Sequence, residues 1–205
     1  MLCLGEKDLD WEQLMAEQLA EYLVGVDEFL AWESQQPARH ELIDNRIYPM
    51  TGASREHNLV AGNLVTALNF GLREKGGEVY PADMRVQIDK DGTFTYPDVV
   101  VVSGEPRFRK YVAQDTLLNP TLLFEILSPS TELVDRNQKL EQYLRIPSLM
   151  GYFLVAQDKP LIEAHLRSGD DWLTHECAGL DSNLVIPTLD CEIPLREVYR
   201  QVRFE

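Results

Sequence analysis

The stretch Leu122-Leu123-Phe124-Glu125-Ile126-Leu127 constrains the fold more than any other part of the chain. Apart from Glu125 it has no polar face, so it reads as a strand in the middle of a sheet, covered on both sides. An unpaired carboxylate there loses several kcal/mol of hydration, so Glu125 requires compensation. A hard divalent cation ligated by carboxylates would supply it, and so would an arginine partner. Asp98 raises the same question, because it follows Pro97 and opens the core run Val99-Val100-Val101-Val102. Two acids on neighbouring core strands say more about a shared counter-charge than either does alone.

Side chains along a strand repeat every two residues, so position 127 shares the face of Glu125, and it is a leucine. Positive charge must then come from elsewhere. Ser128-Pro129-Ser130-Thr131 is a turn whose hydroxyls can cap a helix expected over Leu133 to Ile146. On that helix Asp135, Lys139 and Tyr143 are spaced four apart and share a face. If the helix packs back over the strand, Lys139 reaches the acids. There it can hold a water or hydroxide, or stabilise negative charge developing on phosphate oxygens.

Upstream, Leu9 to Val24 reads as an acidic amphipathic helix and Val26 to Glu33 as a second, short one. Glu41 to Tyr48 reads as a hairpin turning at Asp44-Asn45, with Glu41 on its first strand. A long helix is expected from Ser54 through Val60, Leu64, Leu68 and Leu72, stopping at Gly76-Gly77. Val79 to Asp89 alternates as one half-buried strand. Further strands are expected at Gly151 to Ala156, Leu161 to Leu166 and Trp172 to Glu176, and a last short helix near Leu195 to Val202.

A length of 205 residues suits one core rather than two. No apolar run approaches the ~18 residues of a membrane span, and Met1 to Asp10 has no basic-then-apolar pattern, so the expected location is the cytoplasm. Cys3, Cys177 and Cys191 form no CxxC pair and read as reduced thiols. The net charge of -15 argues against a broad basic surface that coats nucleic acid. Residues 1 to 35 carry -8 of it, which leaves the main body much less acidic per residue. Arg107, Arg109 and Lys110 are its densest basic group outside the helices, either a solvated loop or a contact to a phosphate backbone.

Pro97-Asp98, Glu125-x-Leu127-Ser128-Pro129-Ser130-Thr131, Asp135 with Lys139 and Tyr143, and Tyr152-Phe153-Leu154-Val155 together resemble the putative restriction endonuclease family of the PD-(D/E)XK superfamily. His40-Glu41-Leu42-Ile43-Asp44 and His57-Asn58 extend the likeness upstream. The resemblance implies an α/β (α+β) restriction-endonuclease-like core, a mixed central β-sheet flanked by helices, over residues 26-205. Residues 1-25 form an acidic helical extension outside it. It further implies Asp98 and Glu125 as ligands of Mg²⁺ or Mn²⁺, Glu41 as a supporting acid, and Lys139 as the catalytic lysine moved to the helix because Leu127 holds its usual place.

The implied activity is phosphodiester hydrolysis in DNA by a metal-dependent endonuclease, with a homodimer favoured for cutting two strands. Two other readings accommodate the acidic surface: a non-catalytic module of the same fold that binds nucleic acid or protein, and a phosphodiesterase acting on small molecules. Among individual residues, Asp135 reads as a first-turn helix acid, Tyr143 as core and His57 as a helix-end residue; His165 and His175 show no ligand spacing.

Overall fold

The computed structural model describes residues 26–89, 92–111 and 114–204; the helix expected at Leu9 to Val24 lies outside the described residues. In chain order, α1 (Val26–Glu33) precedes a hairpin of β1 (His40–Ile43) and β2 (Arg46–Pro49). Its turn residues Asp44 and Asn45 take φ of 50° and 60°, the left-handed pair that a two-residue hairpin needs. Helix α2 (Arg55–Leu72) is capped by Ser54, whose hydroxyl accepts the His57 N–H at 3.0 Å. Strands β3 (Glu78–Pro81), β4 (Arg85–Gln87), β5 (Phe94–Thr95), β6 (Val99–Val102), β7 (Phe108–Tyr111), β8 (Gln114–Leu117) and β9 (Leu122–Leu127) follow.

Helix α3 is built in three pieces: Glu132–Val134, a π-helical segment Asp135–Lys139, and Leu140–Tyr143. Strands β10 (Gly151–Ala156), β11 (Leu161–Ser168) and β12 (Asp171–Ala178) come next. The chain closes with β13 (Asn183–Ile186), a 3-10 turn at Pro187–Leu189, β14 (Cys191–Pro194) and α4 (Leu195–Val198).

The central sheet has the order β12-β11-β10-β9-β6-β3. It is mixed, with β9 and β10 parallel and the remaining neighbours antiparallel. Both its faces are covered, as the apolar runs of β6 and β9 require. Leu122, Phe124 and Ile126 pack beneath Val60, Leu64 and Leu68 of α2. On the opposite face Leu123 and Leu127 meet Tyr143 of α3 and Ile146 and Leu149 just beyond it, together with Val86 and Leu117. Glu125 has the parity of Leu123 and Leu127 and therefore faces α3.

A second six-stranded sheet, ordered β2-β1-β5-β4-β8-β7, lies on the α3 side. Its strands are too short and too polar to show periodicity, as in Gln114–Leu117, and β5, β7 and β8 went unanticipated from sequence. The single strand expected over Val79 to Asp89 is instead two strands in different sheets. Pro81 ends β3, where Met84 N–H returns to the Pro81 carbonyl in a turn, and β4 then joins the second sheet. Alternation at Met84, Val86 and Ile88 reports burial of one face and is silent about which sheet provides it. The small β13–β14 hairpin was likewise unforeseen; it packs Leu184, Ile186 and Ile193 against the α2 side of the core.

Helix α1 is pinned to the second sheet by Phe29 and Leu30, which meet Leu42, Ile47 and Phe94. Beneath it, Arg85 donates to Glu33 at 2.9 Å and to Thr116 Oγ1 at 2.8 Å, while Tyr96 O–H donates to the other Glu33 oxygen at 2.8 Å. The Arg85 and Glu33 side chains are 1% and 3% exposed, so neither charge can fall back on water. Replacing Arg85 with Met should therefore lower the unfolding free energy by about 3–5 kcal/mol, since it strands a buried carboxylate. Urea denaturation measures this, and a loss below about 1 kcal/mol would show that the pair is not closed to solvent.

Candidate active site

Segments far apart in the chain bring charged side chains to one place on the α3 face of the central sheet. Val99 of β6 lies opposite Phe124 of β9, so Asp98, one residue earlier, falls beside Glu125. Asp98 is tied down by both oxygens: Oδ2 accepts the Ile126 N–H at 2.7 Å, and Oδ1 lies 3.0 Å from His57 Nε2. His57 occupies the first turn of α2, where the Ser54 cap orients it.

Glu41 enters from β1, its Oε1 accepting the Tyr96 N–H at 2.9 Å. The hairpin carrying it is clamped to α3, Tyr48 O–H donating to Gln138 at 3.2 Å and Gln142 to Asp44 at 2.6 Å. From α3, the Lys139 ammonium sits 3.1 Å from Glu41 Oε2, 3.1 Å from Glu125 Oε1 and 3.2 Å from Asp135 Oδ1. Tyr143 O–H donates to Glu125 Oε1 at 2.8 Å and lies within 2.9 Å of Thr95 Oγ1. Tyr152 O–H donates to the Asp135 carbonyl at 3.0 Å and packs edge-on against Tyr143.

Among the charged groups of the cluster burial is deepest at Asp135, Glu125 and Lys139, which are 2%, 4% and 6% exposed. Asp98 and His57 retain 14% side-chain exposure each, so the cluster reaches solvent on their side. Loss of hydration pushes the Glu125 carboxyl well above the usual carboxylate range; the Lys139 charge opposes this, and Asp135, Asp98 and Glu41 add to it. The Lys139 ammonium is held well above its ordinary value because Glu125, Glu41 and Asp135 outweigh its burial. For His57, burial is the largest single effect and works downward, but its bond to Asp98 and the charges of Asp98 and Asp135 outweigh it and raise the pKa.

Glu41, Asp98, Glu125 and Asp135 thus face two basic groups, Lys139 and His57, and the cluster carries surplus negative charge. Asp135 Oδ1 is buried without a hydrogen bond, Lys139 being near but poorly aligned. Among the described residues no group of three or more His, Cys, Asp or Glu side chains is arranged to hold a metal ion. The cluster offers instead an adjacent pair of hard oxygen donors, Asp98 and Glu125, with uncompensated charge around them. A pair of hard oxygen donors is the kind of ligand set that suits a divalent cation which takes few protein carboxylates and keeps several waters.

The structure brings Glu41, Glu125 and Lys139 into direct contact and sets Asp98 beside them. It also draws in three residues given plainer readings from sequence. Asp135 contacts Lys139 rather than merely starting a helix, Tyr143 bonds Glu125 as well as packing in the core, and His57 pairs with Asp98. The four-residue spacing from Asp135 to Lys139 was a visible signal for the first; the His57–Asp98 pair spans 41 residues and had none. Leu127 explains why the lysine comes from the helix, since its side chain is spent in the apolar layer with Tyr143. Arg109 and Lys110 lie on β7, at the edge of the second sheet, and Arg109 pairs with Asp27 at 2.7 Å.

Two packed mixed sheets flanked by few helices match a nuclease-like fold. The fold matches the crystal structure of "a putative nuclease belonging to DUF820" from Anabaena variabilis ATCC 29413, with a TM-score of 0.73 over 88% of this chain and 100% of that one, at 16% identity. Residues 26–196 match the Uma2 family, described as "Putative restriction endonuclease", and the chain belongs to that family. Two relatives come from Synechocystis sp. (strain ATCC 27184 / PCC 6803 / Kazusa), both known as uncharacterized proteins. One, sll1609, is 35% identical over 158 residues, which are 77% of this chain and 89% of its own. The other, slr1290, is 32% identical over 179 residues, 87% of this chain and 92% of its own.

The raised His57 pKa carries a sign for stability. The His57–Asp98 pair contributes fully below the ordinary histidine value of 6.5 and fades as pH rises through the higher native value. In EDTA, His57→Ala should cost about 1–2 kcal/mol near pH 6 and less near pH 9, read by urea denaturation at both values. A cost that grows with pH would contradict a charged pair.

Proposed function

We propose that this protein is a Mg²⁺- or Mn²⁺-dependent endonuclease that hydrolyses phosphodiester bonds in DNA, with residues 26-205 as the nuclease domain and residues 1-25 as an extension outside it. The observation that carries the reading is the pairing of Asp98 and Glu125 on adjacent core strands with the Lys139 ammonium 3.1 Å from Glu125. Membership of the Uma2 family and the nuclease fold support it. Asp98 and Glu125 would hold the metal, which when bound polarises the scissile phosphate and acidifies a water.

The chain's own residues do the remainder. His57 and the Ile126 N–H fix the orientation of Asp98, and Tyr143 fixes that of Glu125. Glu41 holds Lys139, whose charge stabilises the phosphate oxygens as negative charge develops on them. Cutting both strands of a duplex requires two such sites, which a symmetric dimer supplies.

The net charge of -15 favours a second reading, a module of this fold that binds nucleic acid or protein without cutting. Incubation of supercoiled plasmid and single-stranded DNA with Mn²⁺ separates the two. The wild type should cleave, EDTA should abolish cleavage, and Glu125→Gln, Asp98→Asn and Lys139→Ala should each lower the rate at least about a hundredfold. DNA bound but left intact by the wild type would favour the binding module, and undiminished cleavage by Lys139→Ala would remove the lysine from the mechanism.

A further inference from the structure

We infer that Lys139 is the built-in counter-cation of the acid cluster, so that a divalent metal must compete with this ammonium for Glu125. The inference rests on the metal-site reading above and concerns what occupies that site before the metal arrives. Three carboxylates from three different elements surround Nζ: Glu41 of β1, Glu125 of β9 and Asp135 of α3, all within 3.1–3.2 Å. An ammonium has only three N–H groups. Here one hydrogen bond goes to Glu125, and the charges of Glu41 and Asp135 lie as close, so the ammonium is directed into the acids rather than toward a phosphate or a water. The lysine is thus placed as a structural cation, and turning it toward substrate requires that one acid release it.

Glu125 is the acid suited to do so. Lys139 and Tyr143 both approach the same oxygen, Oε1, so the carboxylate carries two donors on one side while Asp98 lies beside it. A metal that engages Glu125 supplies the charge that Lys139 otherwise provides. The ammonium then keeps Asp135 and Glu41 and stays in the site, free of its bond to the metal ligand. Asp135 has the requisite place, four residues before Lys139 in the same π-helical segment, with a buried oxygen that makes no hydrogen bond and lies 3.2 Å from the ammonium. A π turn within a helix is uncommon and recurs where side chains must be held for function. The position of the lysine on a helix matters too: a long stem reaching in from α3 can shift between acids, whereas position 127 is locked in the apolar layer as Leu127.

The test is Mn²⁺ binding by calorimetry on metal-stripped full-length protein, comparing the wild type with Lys139→Met and with Glu125→Gln, alongside melting temperatures with and without Mn²⁺. Lys139→Met keeps the stem and removes the competitor, so it should bind Mn²⁺ at least about tenfold more tightly and gain more melting temperature from it than the wild type does. If the variant is unfolded without metal, millimolar Mn²⁺ should restore its fold, because the metal takes the place of the missing ammonium beside Glu125; failure to restore it overturns the inference. A folded Lys139→Met that binds Mn²⁺ no more tightly than the wild type also overturns it, while leaving the metal site intact provided that Glu125→Gln abolishes wild-type binding. Absence of Mn²⁺ binding in the wild type and Lys139→Met alike would instead bring down the metal-site reading itself, and this inference with it.

Discussion

The Glu125 carboxylate, enclosed in the middle of a core strand, is the constraint around which the molecule is arranged. Loss of hydration there is large enough to drive the group toward its neutral form, and the Lys139 ammonium is the nearest charge opposing this. The ammonium is itself buried and would lose its proton without company, so it needs acids on more than one side. Glu41 and Asp135 provide them, and each comes from a different part of the chain. One buried acid thus requires a buried base, and that base requires further acids. The second sheet and α3 must therefore both pack against the central sheet for any of these charges to be tolerated.

That dependence gives the packing a direction. The two faces of β9 do different work: the face toward α2 is wholly apolar, while the face toward α3 combines Leu123 and Leu127 with Glu125. Asp98 lies at the edge of this buried region rather than within it, with a histidine and a backbone N–H as partners and some exposure to water. An acid that keeps contact with solvent is the first to meet an incoming ligand. The cluster therefore has an enclosed interior, formed by Glu41, Glu125, Lys139, Asp135 and Tyr143, and an accessible rim, formed by Asp98 and His57. Ligand entry at the rim and charge compensation in the interior follow from where each group sits.

A second buried ion pair, Glu33 with Arg85, performs a separate task beneath α1. Arginine suits that position because its planar guanidinium satisfies Glu33, Thr116 and the Gln114 carbonyl together. Lysine suits the acid cluster for the opposite reason, since it is a compact charge on a flexible stem that several acids can share. The chain thus uses one base where the geometry is meant to stay fixed and the other where it can be redistributed.

Much of the central sheet was legible in the sequence. Runs such as Val99–Val102 and Leu122–Leu127 are apolar on both faces, and only a covered central strand accommodates them. Their acids announced a need for counter-charge, and the spacing of Asp135, Lys139 and Tyr143 placed three groups on one helix face. The Asp44-Asn45 hairpin and a long helix starting at Ser54 were legible too, because these depend on the conformational preferences of a few adjacent residues. What only the tertiary structure decided was which distant groups meet. The second sheet, the break of β3 from β4, the His57–Asp98 pair and the enclosure of Lys139 by three acids all depend on contacts between segments far apart in the chain. Periodicity records that a side chain is buried, and charge records that it needs a partner; neither records which one, because that is set by how the sheets and α3 pack.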